Sequence, residues 1–266
     1  MERIKIKNKF KDLLELQDTF NSALDVNWKE KSTDEFDYAS CILVESGESL
    51  DSIQFKHWKK QELDMANFGV ETIDKLHFIM SQHLGKYSDS FLSEVYTDEY
   101  ENSMDTVNDV IFDGLSETQS LKKNVKILTM FALQYDLGEQ SEEDLRLTIR
   151  HLFHNMDLME WDINTIYANY VVKNCLNKVR QDRGYKKGTY IKDWIYGDNV
   201  VEDNVVAYEI MDKILNFDTR IDDVVHSNEI IPNESNFDKL YRRLISYYDD
   251  VVVPDLLSKE SKELLN

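Results

Sequence analysis

Apolar residues recur at helical spacing along most of the chain. Between residues 6 and 20, Phe10, Leu13, Leu14, Leu16 and Phe20 fall on one side of a helix, with Gln17 and Asn21 on adjacent turns. The same period predicts a second helix over 34–50 (Phe36, Ala39, Ile42, Leu43, Leu50) and a third over 61–84 (Leu63, Phe68, Ile73, Leu76, Ile79, Met80, Leu84). A short aromatic and basic link, 52–60, joins them, and a link of that length makes antiparallel neighbours. From 89 to 117 the stripe is broken (Phe91, Val95, Tyr96, Met104, Val107, Val110, Ile111) and reads as two helices, an inserted hairpin. Further helices are predicted over 121–135, from a cap at Ser141-Glu142-Glu143-Asp144 to 156, and from Asp162 onward with Ile163, Ile166, Tyr167, Tyr170, Leu176 and Val179 facing in. A loop then runs from Gly184 to 201, followed by helices over 205–215 and 236–248.

Composition agrees with this. Eight glycines and two prolines in 266 residues are too few for the turns of a sheet-rich fold. The expected fold is all-α: a helical bundle carrying a carboxylate-rich site between two antiparallel helices, with an inserted acidic helical segment. One domain is expected over 1–266, with its core at 8–84 and 145–215, the insert at 86–140 and a peripheral tail at 216–266. The Val251-Val252-Val253 run and Pro254 imply that part of the tail docks. The net charge of −20 argues against a nucleic-acid-gripping surface. No run of apolar residues is long enough for a membrane helix, and the N-terminus has no apolar signal region, so a cytoplasmic protein is expected. Cys41 and Cys175 read as reduced core thiols.

Chemistry concentrates in two places. Glu45-Ser-Gly-Glu48 and Glu71-Thr-Ile-Asp74 each place two carboxylates one turn apart on one helix face. On antiparallel neighbours the four carboxylates would converge, and such crowding needs a hard cation, Mg²⁺ or Mn²⁺. The alternative is a solvated acidic face. Gly47 between the acids implies that something approaches the backbone closely there. Asp51 and Asp64 either join the cluster or cap helices. Lys75 is expected to point outward, and Trp28 and Trp58 to lie in the core.

The second place is a basic island. Seven Lys or Arg against one acid lie between Lys173 and Lys192, among Asn174, Asn177, Gln181, Tyr185 and Tyr190. Cations, amides and a glycine-containing turn suit a polyphosphate, and a solvated basic face is the alternative. No phosphate loop, dinucleotide fingerprint, HExxH or GxSxG occurs. Zinc from His151 with His154, or from His77 with His83, is not expected. The acidic run 89–117 has nine acids and no Lys or Arg, and reads as a solvated helical face or a surface for a regulatory protein partner.

Segments 44–52 (VESGESLDS), 57–59 (HWK), Asn67 and 70–78 (VETIDKLHF), followed by 173–192 (KNCLNKVRQDRGYKKGTYIK) and 202–204 (EDN), resemble the dimeric all-α dUTPases of the all-α NTP pyrophosphohydrolase superfamily. Leu16-Gln17, Phe20-Asn21 and Trp28 resemble that family's opening motif. The resemblance is collinear over 10–84 and 165–210. It implies hydrolysis of dUTP to dUMP and pyrophosphate, and of dUDP to dUMP and phosphate, by a metal-activated water attacking the β-phosphorus. It implies two or more Mg²⁺ ions, replaceable by Mn²⁺, on Glu45, Glu48, Glu71 and Asp74, with Glu48 as general base. Lys173, Asn177, Arg180, Tyr185 and Lys192 would hold the phosphates. Gln17, Asn21, His77, Phe78 and Asn204 would contact base and sugar. A homodimer without direct nucleic-acid binding is also implied. Leu76 departs from the family, which often has an aromatic there. A dCTP or mixed dCTP/dUTP pyrophosphatase and an acidic partner-binding protein remain the other readings.

Overall fold

Asp37, Asp64, Ser116, Ser141 and Asp162 each stand where the chain turns into a helix. Each accepts a bond from the backbone N–H three residues on, at 2.8–3.4 Å. Each such cap contributes about 1 kcal/mol. The computed structural model describes residues 2–31, 35–106, 113–138, 140–215 and 235–256. Its helices are α1 (Glu2–Leu24), α2 (Tyr38–Ser52), α3 (Met65–Leu84), α4 (Asp89–Thr106), α5 (Glu117–Leu137), α6 (Glu142–Leu158), α7 (Ile163–Asp182), α8 (Asp203–Leu215) and α9 (Asn236–Tyr247). A two-stranded antiparallel hairpin, β1 (Asp193–Tyr196) with β2 (Asn199–Glu202), lies before α8. The all-α class holds.

The third helix starts at Met65 rather than 61, because the Asp64 side chain closes its first turn. The expected start of the second helix at Asp34 lies outside the described residues; α2 begins at Tyr38 behind Asp37. The expected loop 184–201 contains the hairpin. Its two-residue turn is opened by Gly197 at φ +61°, a conformation that glycine adopts without cost.

The chain divides into two compact units, 1–167 and 168–266. In the first unit α2 packs on α3 and α5, α4 on α1 and α6, and α5 on α6. Ile53, Phe68, Leu121 and Val125 form one buried cluster. Phe10, Tyr96, Tyr100 and Phe153 form another, with ring centroids 5.2–6.1 Å apart.

The described helices of segment 86–140 pack into the bundle. Leu92, Val95 and Tyr96 of α4 are fully buried. Its acids face cations of its neighbours: Glu94, Asp98 and Glu101 face Arg3, Glu94 faces Lys7, and Glu99 faces Arg146 and Arg150. Four acids of the run, Glu94, Asp98, Glu99 and Glu101, thus bind α4 to α1 and α6. Val107, Val110 and Ile111 of the expected stripe lie outside the described residues.

In the second unit, the tail after Ser235 is structural. Tyr248 stacks on Tyr190 at 5.0 Å and accepts a hydrogen bond from the Ile191 N–H at 2.9 Å, while Tyr247 stacks on the buried Trp194. Val252 is buried, which answers the expected docking of the valine run. The rest of the tail, 216–234 and 257–266, lies outside the described residues.

One buried histidine sets a pH limit on the first unit. His83 of α3 is fully buried, edge-on to Tyr135 at 5.1 Å, and burial followed by the nearby Lys86 charge pushes its pKa down to about 3. The unfolded chain binds a proton near pH 6.5, whereas the folded chain does not. Stability is thus full above pH 6.5 and falls on acidification, by about 2 kcal/mol at pH 5 from this group alone. Urea titrations of wild type and His83→Leu between pH 7.5 and 5 check this, since the variant should lose that part of the slope.

Candidate metal centre and adjoining cleft

Helices α2 and α3 run antiparallel: the Asn67 amide bonds Ser52 at 2.8 Å near one end of the contact, and Glu45 meets Asp74 further along it. This brings Glu45, Glu71 and Asp74 together, each offering a carboxylate oxygen within 4.8 Å of the others. Among the described residues no other three His, Cys, Asp or Glu side chains converge in this way. Glu45 is half-buried. Its carboxyl is pushed up to about 8, first by burial, then by a hydrogen bond shared with Glu71 and by the charges of Asp74, Glu71 and Glu48.

Three crowded hard-oxygen groups, one of them resisting ionisation, fit a divalent cation such as Mg²⁺ or Mn²⁺. Glu48 is not in the triad. It is exposed, one turn along α2, with its charge acting on Glu45.

Lys75 corrects the expectation that it points outward. Its side chain is fully buried, its Nζ donates to the Ser49 hydroxyl, and it lies 5.5 Å from the Phe68 ring centre. Burial pushes its ammonium down to about 7, while Glu71, Glu45 and Asp74 pull it upward. The protein thus carries an internal amine beside the acids. Sequence spacing could not show this, because a lysine next to a ligand position reads as surface. Two further expectations resolve simply. Asp64 caps α3, and Asp51 pairs with Lys56, so neither joins the triad. Among the described residues, nothing beyond its own helix backbone and chain neighbours lies within 4 Å of a Cβ built on Gly47. Trp28 is buried as expected, but Trp58 is 65% exposed, edge-on to the rings of His57 and Phe55.

The residues expected at base and sugar are only partly assembled. Gln17, Asn21 and His77 come together, but bonded to one another. Gln17 Nε2 donates to Asn21 Oδ1 and to Ser81 Oγ, Asn21 Nδ2 donates to Ser81 Oγ, each at 2.9 Å, and Gln17 Oε1 lies 2.7 Å from His77 Nδ1. Ser81 lines a cleft of about 410 Å³, with Trp28, Phe36, Tyr38, Gln82 and Tyr135 among its walls. Phe78 is half-buried on α3, between Asp74 and Ser81 in sequence. Asn204 belongs to the second unit, where its Oδ1 accepts the Val205 N–H.

The expected phosphate ligands also belong to the second unit. Lys173 is buried and Tyr185 is exposed. Lys192 lies 3.6 Å from Glu202. Arg180 makes two 2.8 Å bonds to the fully buried Asp203, which also accepts the Tyr190 hydroxyl at 2.8 Å. Its guanidinium therefore braces α7 against the start of α8, and it donates at 3.3 Å to Asn177 Oδ1. Sequence reasoning missed Asp203 as this partner, because 23 residues separate the pair.

No helix among the described residues is long and apolar enough to cross a membrane. A family model described as dUTPase matches the chain over residues 9–185. The search of curated proteins found no match.

Proposed function

We propose, for a chain that belongs to the dUTPase family and is a dUTP-hydrolysing enzyme, that Glu45, Glu71 and Asp74 hold catalytic Mg²⁺. The convergence of these three carboxylates carries the reading. Bound there, the cation supplies a lowered pKa for water and neutralising charge for the phosphates.

Glu48 is the general base. It lies one turn from the triad and is open to solvent, so it can take a proton from the attacking water and release it afterwards. The water oxygen bonds to the β-phosphorus, the bond from that phosphorus to the α-phosphate oxygen breaks, and dUMP leaves. The other product is pyrophosphate from dUTP or phosphate from dUDP. Buried Lys75 holds Ser49 and offsets part of the acidic charge, so it is a positioning residue. Lys173, Asn177, Tyr185 and Lys192 are assigned to the phosphates. Arg180 joins them, held in place by its Asp203 pair. Gln17, Asn21 and His77 orient the Ser81 side of the cleft, Phe78 packs against the deoxyribose, and Asn204 is kept as a sugar contact. A homodimer fits the exposed Leu43 and Val44 on α2. A second ion, Mn²⁺ substitution and a cytoplasmic setting belong to the same proposal.

Product release from the standard ribo- and deoxynucleoside triphosphates, from dUTP and from dUDP, in Mg²⁺, Mn²⁺ and EDTA, tests this. The expected result is Mg²⁺-dependent release from dUTP well above the others, with dUDP also consumed. Preferential release from dCTP would overturn the base assignment, and turnover in EDTA would overturn the metal.

A further inference from the structure

Gln82 stands out among the polar side chains of the first unit. It is 8% exposed, it lines the 410 Å³ cleft, and neither its amide nitrogen nor its amide oxygen has a hydrogen-bond partner. A primary amide offers two donors and an acceptor, and leaving them unpaired in the interior costs about 1–3 kcal/mol. The amides of Gln17 and Asn21 are engaged with each other and with Ser81, whereas both functions of Gln82, which lines the cleft, are buried without a partner.

The walls narrow the ligand class. Trp28, Phe36, Tyr38 and Tyr135 supply aromatic surface for a flat ring. The lysines at the cleft are already held: Lys29 by Asp18, Lys31 by Asp25 and Lys86 by the carbonyl and amide oxygens of Gln140. The cleft therefore suits an uncharged ring better than a phosphate.

Position along α3 supplies the rest. Asp74, Phe78 and Gln82 recur every fourth residue, so they follow one side of the helix. Eight residues of rise separate Gln82 from Asp74 by about 12 Å, roughly the span of a nucleotide.

We propose that the cleft receives the pyrimidine ring of the substrate and that Gln82 is the specificity-determining residue, reading the ring's adjacent C=O and N–H through its amide. This rests on the dUTPase reading above. The nucleotide then lies along α3, with phosphates at the carboxylates, sugar at Phe78 and base at Gln82.

The test uses the full chain and two variants, Gln82→Met and the isosteric, polar Gln82→Glu. KM and kcat are measured for dUTP and dCTP in Mg²⁺, with the thermal midpoint of each protein and the binding of free deoxyuridine followed by tryptophan fluorescence in EDTA. Gln82→Met should fold at least as stably as wild type, because it removes an unpaired buried amide. Its KM for dUTP should rise tenfold to a hundredfold, with the effect falling on KM rather than kcat and the dUTP-over-dCTP preference shrinking. If Gln82→Met does not fold, Gln82→Glu must show the same KM rise and loss of preference. Wild-type KM and base preference in a folded variant overturn the proposal, as does a fall in thermal midpoint with unchanged preference. If wild type hydrolyses no nucleotide, the dUTPase reading fails, and deoxyuridine binding then decides the cleft separately. Binding lost in the variants supports the ring site, and binding absent from wild type or equal in all three overturns it.

Discussion

Glu71→Gln is expected to lower kcat for dUTP by about a thousandfold and to abolish the rise in Tm that Mg²⁺ produces in wild type. The reason is the geometry of the triad. Glu71 shares a hydrogen bond with Glu45, and its ligand oxygen lies within 4.8 Å of those of Glu45 and Asp74. A cation bound there relieves repulsion in the folded state and finds no such site in the unfolded chain. At a hundredfold excess over Kd it adds about 2.7 kcal/mol of stability, several degrees of Tm for a chain of this size. An amide in place of Glu71 removes one anionic ligand, and with it several kcal/mol of transition-state stabilisation, about a thousandfold in rate. Thermal scans across a Mg²⁺ titration, run beside initial rates, check both effects. A variant that keeps the Mg²⁺-dependent shift would remove Glu71 from the metal site.

Asp203→Ala should cause the largest loss of stability, about 3–5 kcal/mol, by breaking a buried ion pair on one side only. Asp203 is fully buried and accepts two bonds from Arg180 and one from Tyr190. The alanine leaves a largely buried guanidinium and a half-buried phenol without their acceptor. Tm should fall by about 10 °C or more, with loss of the fluorescence signature of the buried Trp194. The double variant Arg180→Met with Asp203→Leu should recover most of that loss, since it removes both charges together. Failure to recover would assign Arg180 a role beyond the pair. Activity of Arg180 variants must therefore be read well below their Tm, where unfolding and lost phosphate contact are separable.

Much of the architecture was legible because helices are specified locally. The 3.6-residue period of α1, α3, α5 and α7, and caps such as Ser141 and Asp162, depend on neighbours a few positions away. The i,i+3 acid pairs were legible for the same reason, since spacing alone puts both members on one helix face. Together with the short α2–α3 link, they pointed to the convergence of Glu45, Glu71 and Asp74 before any packing was known, although Glu48 stays outside that cluster.

Other features depend on groups far apart in sequence. Lys75 follows Asp74 of the carboxylate cluster directly, and only the packing of α2 against α3 turns it inward to Ser49. The acids of α4 read as a solvated run until Arg3, Lys7, Arg146 and Arg150, from helices on either side, are seen to meet them. Arg180 reads as a phosphate ligand, and only the fold shows Asp203 beside its guanidinium. The Gln82 amide gains meaning only when the cleft closes around it and leaves it unpaired. Periodicity, capping and ligand spacing are local and survive in the bare sequence. Burial of a charge, and the partner that makes it tolerable, exist only once the chain has folded, because the desolvation that sets their energy is a property of the whole packed unit.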